Sequence, residues 1–122
     1  MNISHIEDGG VLVAVVTSEE KLVTDAASAL DLAMTVRYET GADRIAMDKR
    51  IIDEPFFILS TGMAGEILQK YINYHIKAAV WGDYSRYTSQ PLKDFIYESN
   101  LGRDFFFVET QEEAVRRLLE AR

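Results

Sequence analysis

Between Ala64 and Ile72 the apolar and aromatic positions fall at 64, 67, 68, 71 and 72, the spacing of one buried helical face. Glu66, Gln69, Lys70 and Asn73 occupy the opposite side. Ahead of this helix stand the apolar run Phe56-Phe57-Ile58-Leu59 and the corner Ser60-Thr61-Gly62. A helix that opens on two hydroxyls and a glycine gathers free N–H groups and the positive end of its dipole, where an anion or a phosphate is favoured.

The same patterning orders the rest of the chain. Residues 2–6 and Val11–Thr17 read as strands of a hairpin joined through Glu7-Asp8-Gly9-Gly10. The second run is almost continuously apolar, as expected for a central strand buried on both faces. A helix over 25–38, capped by Thr24 or Ser18 and ended by Gly41, would bury Val23, Ala26, Ala29, Leu30, Ala33 and Met34. Arg44–Asp48 is a short strand, and Pro55 predicts irregular structure through 49–58. A strand over 77–82 leads to a tyrosine-rich loop over 83–90. Pro91 suits the first turn of the next helix, whose inner stripe is Leu92, Phe95, Ile96 and Ser99. Residues 104–108 form a strand, and Thr110-Gln111-Glu112-Glu113 spells a reciprocal capping box for a last helix burying Ala114, Val115, Leu118 and Leu119. The expectation is one α/β domain over 1–122, with a mixed, mostly parallel sheet of about five strands and about four helices in the order β-β-α-β-α-β-α-β-α.

Composition narrows the function classes. The chain has 122 residues, 48% hydrophobic and 27% charged, which suits one ordered domain. Twenty acids against 13 bases give a net charge of -7, which argues against nucleic acid and anionic membrane surfaces as partners. No run is long enough to span a membrane, and Met1-Asn2-Ile3-Ser4 is not the start of a signal peptide, so a cytoplasmic protein is expected. The absence of cysteine removes disulfides, thiol catalysis and thiolate metal sites. His5 and His75 have no partner at metal-ligand spacing, so no metal is expected; His75 continues the helix stripe and reads as a partly buried structural residue. The glycines match neither G-x-G-x-x-G nor a P-loop, and no cofactor is expected.

The element order, with Ser60-Thr61-Gly62-Met63-Ala64-Gly65-Glu66-Ile67-Leu68 opening the second helix, resembles the STAS domain of sulfate transporters and bacterial anti-sigma factor antagonists. The ending Phe95-Ile96-Tyr97-Glu98-Ser99-Asn100-Leu101, Phe105-Phe106-Phe107-Val108 and Thr110-Gln111-Glu112-Glu113-Ala114 is similar too. In the antagonists a partner kinase phosphorylates the corner serine and thereby releases the partner. The resemblance therefore points to Ser60 first and Thr61 second, with Leu59 standing where that family has an acidic residue. The whole sequence, including 61–70 and 94–100, also resembles a bacterial family of small proteins known only as a domain of unknown function, which implies no activity.

Two candidate sites emerge. Ser60, Thr61 and Gly62 form either an ordinary helix cap or an anion and phospho-acceptor site facing a partner. Asp48, Lys49, Arg50, Asp83, Tyr84, Ser85 and Arg86 should lie together beyond the carboxyl ends of the strands, on the same edge as the corner; the ordinary alternative is a solvated loop with salt bridges. Tyr74, Tyr84, Tyr87 and Tyr97 are candidates for exposed contact, whereas Trp81 and the three phenylalanines read as core. The leading expectation is a non-enzymatic regulatory module with a protein partner. An anionic small ligand held by Lys49, Arg50, Arg86 and the helix start is the alternative, and an enzyme using Asp48, Asp83 or Glu66 comes third. Pairing of the first hairpin strand into a homodimer stays open.

Overall fold

The computed structural model describes residues 1–122. Its elements are β1 (Asn2–Asp8), β2 (Val11–Thr17), α1 (Ala26–Thr40), β3 (Arg44–Asp48), three short 3-10 turns (Lys49–Ile51, Glu54–Phe57 and Leu59–Thr61), α2 (Met63–Asn73), β4 (Lys77–Trp81), α3 (Gln90–Leu101), β5 (Phe105–Val108) and α4 (Gln111–Glu120). The strands form one five-stranded sheet in the spatial order β1-β2-β3-β4-β5. β1 runs antiparallel to β2, and every later neighbour is parallel. Gly9 and Gly10 both have positive φ, at 58° and 82°, as a two-residue hairpin turn requires, so β1 extends two residues beyond its expected end.

Sequential order has a consequence for the layers. Each of α1, α2 and α3 links a strand to its immediate parallel neighbour, and right-handed crossovers of that kind place all three helices on one face. Ala14, Val16, Ile45, Met47, Ala78, Val80, Phe105 and Phe107 point to that face and form the larger core. Their neighbours Val13, Val15, Ala46, Ala79, Phe106 and Val108 point the other way, against Ala114, Val115 and Leu118 of α4 alone. The apolar run of β2 is thus explained by two covered faces.

Several local expectations are corrected. The cap of α1 is Asp25, whose carboxylate accepts the Ser28 N–H at 2.7 Å while the Ser28 hydroxyl accepts the Asp25 N–H at 3.0 Å. That start phases the helix to bury Ala29, Leu32, Ala33 and Val36, leaving Ala26, Leu30 and Met34 at the margin. Apolar residues surround most of this helix, so its sequence supports two phases. His75 is exposed with φ 59°, beyond the end of α2, where the chain turns sharply into β4. Thr110 caps α4, accepting the Glu113 N–H at 3.2 Å, but the Glu113 carboxylate faces Arg116 at 4.0 Å instead of completing the box. Trp81 is only half-buried.

Residues 49–61 fold back over the three-helix face. Ile52 bridges Val23, and Phe56 packs 4.9 Å from Phe57, 6.2 Å from Phe105 and 6.1 Å from Phe107. Phe56 is fully buried. Phe56→Ala should therefore lower unfolding free energy by about 3–5 kcal/mol, read as a drop in the urea midpoint.

Candidate functional site

The carboxyl end of β3 is tied down by its own next residues. Asp48 is only 7% exposed; its carboxylate accepts the Arg50 N–H at 3.0 Å and the Arg50 guanidinium at 2.8 Å. Burial pushes the Asp48 pKa up, but the hydrogen bonds from Arg50, its charge and that of Lys21 outweigh this, and the net direction is down. Lys49 Nζ lies 4.9 Å from the Phe57 ring centre and 4.8 Å from that of Tyr87, over two rings stacked 5.2 Å apart. Its stem passes so close to Gly82 that a Cβ there would sit 2.7 Å from the Lys49 Cβ, so position 82 requires glycine.

The loop after β4 closes onto the same segment. The Tyr84 hydroxyl donates to the Val80 carbonyl at 2.7 Å, and burial pushes its pKa far up. Asp83 accepts the Ser85 N–H at 2.8 Å; hydrogen bonds from Ser85, helped by the Lys49 and Arg86 charges, hold its carboxyl below the usual range. Arg86 pairs with Glu54, and the Tyr87 hydroxyl donates to the same carboxylate at 3.2 Å. Tyr84 and Tyr87 are therefore half-buried parts of an aromatic cluster, not free contact residues, while Tyr74 and Tyr97 are exposed. Nothing in the sequence singled out Glu54 as the partner of Arg86, because the pairing spans two irregular segments.

The strand order never reverses, so no switch-point crevice opens between diverging helices. The expected patch is instead drawn into internal pairs: Asp48 with Arg50, Lys49 with two rings, Asp83 with Ser85, and Arg86 with Glu54.

The Ser60 corner behaves differently. Its residues form the last 3-10 turn, and the first position before α2 is Gly62, in the left-handed region with φ 81°. The Thr61 hydroxyl donates to the Pro55 carbonyl at 2.7 Å and accepts the Met63 N–H at 3.3 Å. Thr61 thus takes up the first helical N–H from the position just before Gly62. Ser60 is exposed and lines a cleft of about 700 Å³ with Phe57, Ile58 and Leu59 on one side, and Arg86, Tyr87, Thr88, Ser89, Pro91 and Leu92 on the other. Of the residues proposed from sequence, the cleft brings together Ser60, Arg86 and Tyr87. Asp48, Lys49, Arg50, Asp83, Tyr84 and Ser85 do not line it. The missed residues come from the Ile58-Leu59 approach and from Thr88 and Ser89; a hydroxyl pair just before each helix start was their only trace.

Together these features define an α/β domain with a mixed five-stranded sheet, three helices on one face and one on the other, and an open cleft beside the start of α2. Residues 8–118 match the family described as a domain of unknown function (DUF4180), and the chain belongs to that family. No curated protein and no solved structure matches the chain. No helix is long and apolar enough to cross a membrane.

The lowered pKa of Asp48 sets a pH dependence. A carboxyl depressed on folding stabilises the fold above its unfolded pKa, near 3.8, and that stabilisation is lost as pH falls through the lower folded value. Asp48→Asn should cost about 1 kcal/mol at pH 7 and flatten the acid limb of stability below pH 4, measured by urea titration across pH.

Proposed function

We propose that this protein is a non-enzymatic regulatory module of STAS-like type that binds another protein through the cleft beside α2, with Ser60 as its phospho-acceptor. The observation that carries the reading is the contrast between the two corner hydroxyls: Thr61 is engaged with Pro55 and Met63, whereas Ser60 stands on the cleft lip facing the side that bears Arg86. Ile58, 54% exposed, supplies an apolar contact on the same lip. A partner kinase would transfer the γ-phosphoryl group of ATP to the Ser60 Oγ, which loses its proton. The added charge lies near the positive end of α2 and competes with Glu54 for Arg86, so it alters the lip a partner meets. The carboxylates near the strand ends favour a non-enzymatic reading. Asp48 and Asp83 are both held below the usual carboxylate range, away from the pKa that general acid–base work near neutral pH needs.

The test compares wild type with Ser60→Asp as baits in the native cell, with circular dichroism to verify folding. A partner held by the wild type should be lost by the variant at least tenfold. A folded Ser60→Asp protein that keeps every partner contradicts the switch.

A second reading has one observation behind it: about 700 Å³ lies within the range of small-molecule pockets. On this reading Arg86, Ser60 and Ser89 hold an anionic ligand such as a phosphate or nucleotide. Stabilisation by several degrees at millimolar phosphate or nucleotide in a thermal-shift assay would favour it, and no shift would reject it.

A further inference from the structure

The two edges of the sheet are treated differently. At β5 the Asn100 side chain acts as a substitute strand: its amide accepts the Phe107 N–H at 2.8 Å and donates to the Phe107 carbonyl at 3.0 Å. Arg117 anchors this arrangement by donating to the Asn100 carbonyl at 2.6 Å while lying 4.3 Å over the Phe106 ring. That edge is closed.

β1 has no such cover. It is seven residues long, pairs with β2 without a bulge, and carries neither proline nor lysine, the usual devices that protect an edge. In a two-residue hairpin the flanking pair, Asp8 and Val11, exchanges both backbone bonds, and bonded and unbonded pairs alternate from there. Asn2, Ser4, Ile6 and Asp8 therefore direct their backbone groups inward to β2. The N–H and C=O groups of Ile3, His5 and Glu7 point outward, unpaired.

We propose that this edge is a homodimer interface, at which β1 of a second copy pairs antiparallel with His5 opposite His5 and joins two sheets into one. Among symmetric registers, this one pairs every outward N–H and C=O group of Ile3, His5 and Glu7 in both copies. Its side chains also suit a copy of the same strand. The acids lie at one end of β1, so an antiparallel partner sets Glu7 opposite Ile3 and Asp8 opposite Asn2, and no carboxylate faces another. Glu7 is then the diagonal neighbour of the second copy's His5. On the α4 face, Ile6 is 42% exposed beside a groove shared with Val115 and Leu119, and its counterpart would cover it diagonally. A single strand edge is smaller than a standard interface of about 1,600 Å², so the dimer should dissociate in the micromolar range.

The chain has no cysteine, so an introduced thiol is a clean reporter. In the proposed register the two residues at position 5 have Cα atoms about 5.5 Å apart, within disulfide reach, whereas those at position 7 are roughly 14 Å apart. At about 100 µM, sedimentation velocity should show a dimer of the wild type. Under mild oxidation His5→Cys should form a covalent dimer at least ten times faster than Glu7→Cys. His5→Pro deletes the central outward N–H, a change an edge strand tolerates, and should raise the dissociation constant at least tenfold. A wild type that stays monomeric at this concentration, or equal cross-linking of the two cysteine variants, overturns the proposal.

Discussion

Burial of the irregular segment between β3 and α2 is the constraint on which the rest of the molecule depends. Ile51, Ile52, Phe56 and Phe57 leave water together, although the backbone carrying them makes only short 3-10 turns. The side chains compensate for the sparse main-chain bonding: Phe56 and Phe57 join Phe105, Phe107, Tyr84 and Tyr87 in one aromatic cluster. Because this segment is pinned to β5 and to the loop after β4, Ser60 and Arg86 share a cleft though they are distant in sequence. Loosening the cluster would release the strand ends and the cleft at once.

Electrostatics around that cluster are local and largely satisfied. The protein carries a net charge of -7, yet the cations nearest the strand ends are already engaged, Arg50 by Asp48, Lys49 by two rings and Arg86 by Glu54. With their cations facing solvent, these contacts contribute little to stability, but they fix which groups are available to a newcomer. An incoming anion has to displace a carboxylate. A phosphate attached to Ser60, as proposed, would compete from within the molecule, without the entropic cost of bringing in a free ligand. This difference separates the proposed phospho-switch from simple anion binding in physical terms.

Much of the fold was legible in the residues. Strand periodicity, the Gly-Gly hairpin turn and the stripe through Ala64, Ile67 and Tyr71 are local signals, and each corresponds to an element of the structure. The phase of α1 was not, because its apolar residues surround the helix and the cap at Asp25 decides which of them turn inward. The candidate patch was only partly readable. Topology correctly brought the loop after β4 near the segment after β3, but pairings such as Glu54 with Arg86 link irregular stretches that have no period to read. The separation of Ser60 from Thr61 likewise depends on where the Pro55 carbonyl falls in space, which follows from aromatic packing and not from the Ser-Thr-Gly spelling. Asn100 shows the same limit: a helix residue by sequence, it closes a sheet edge by position.

The central claim is that Ser60, and not its neighbour, is the modified group on a working surface. The direct measurement is mass spectrometry of the peptide spanning 56–70, from protein isolated from its native cell across growth conditions, with fragmentation that separates the two hydroxyls. The account predicts a phosphate on Ser60 in a fraction of the molecules that changes with condition. An unmodified peptide in every condition, or a phosphate on Thr61, would contradict it.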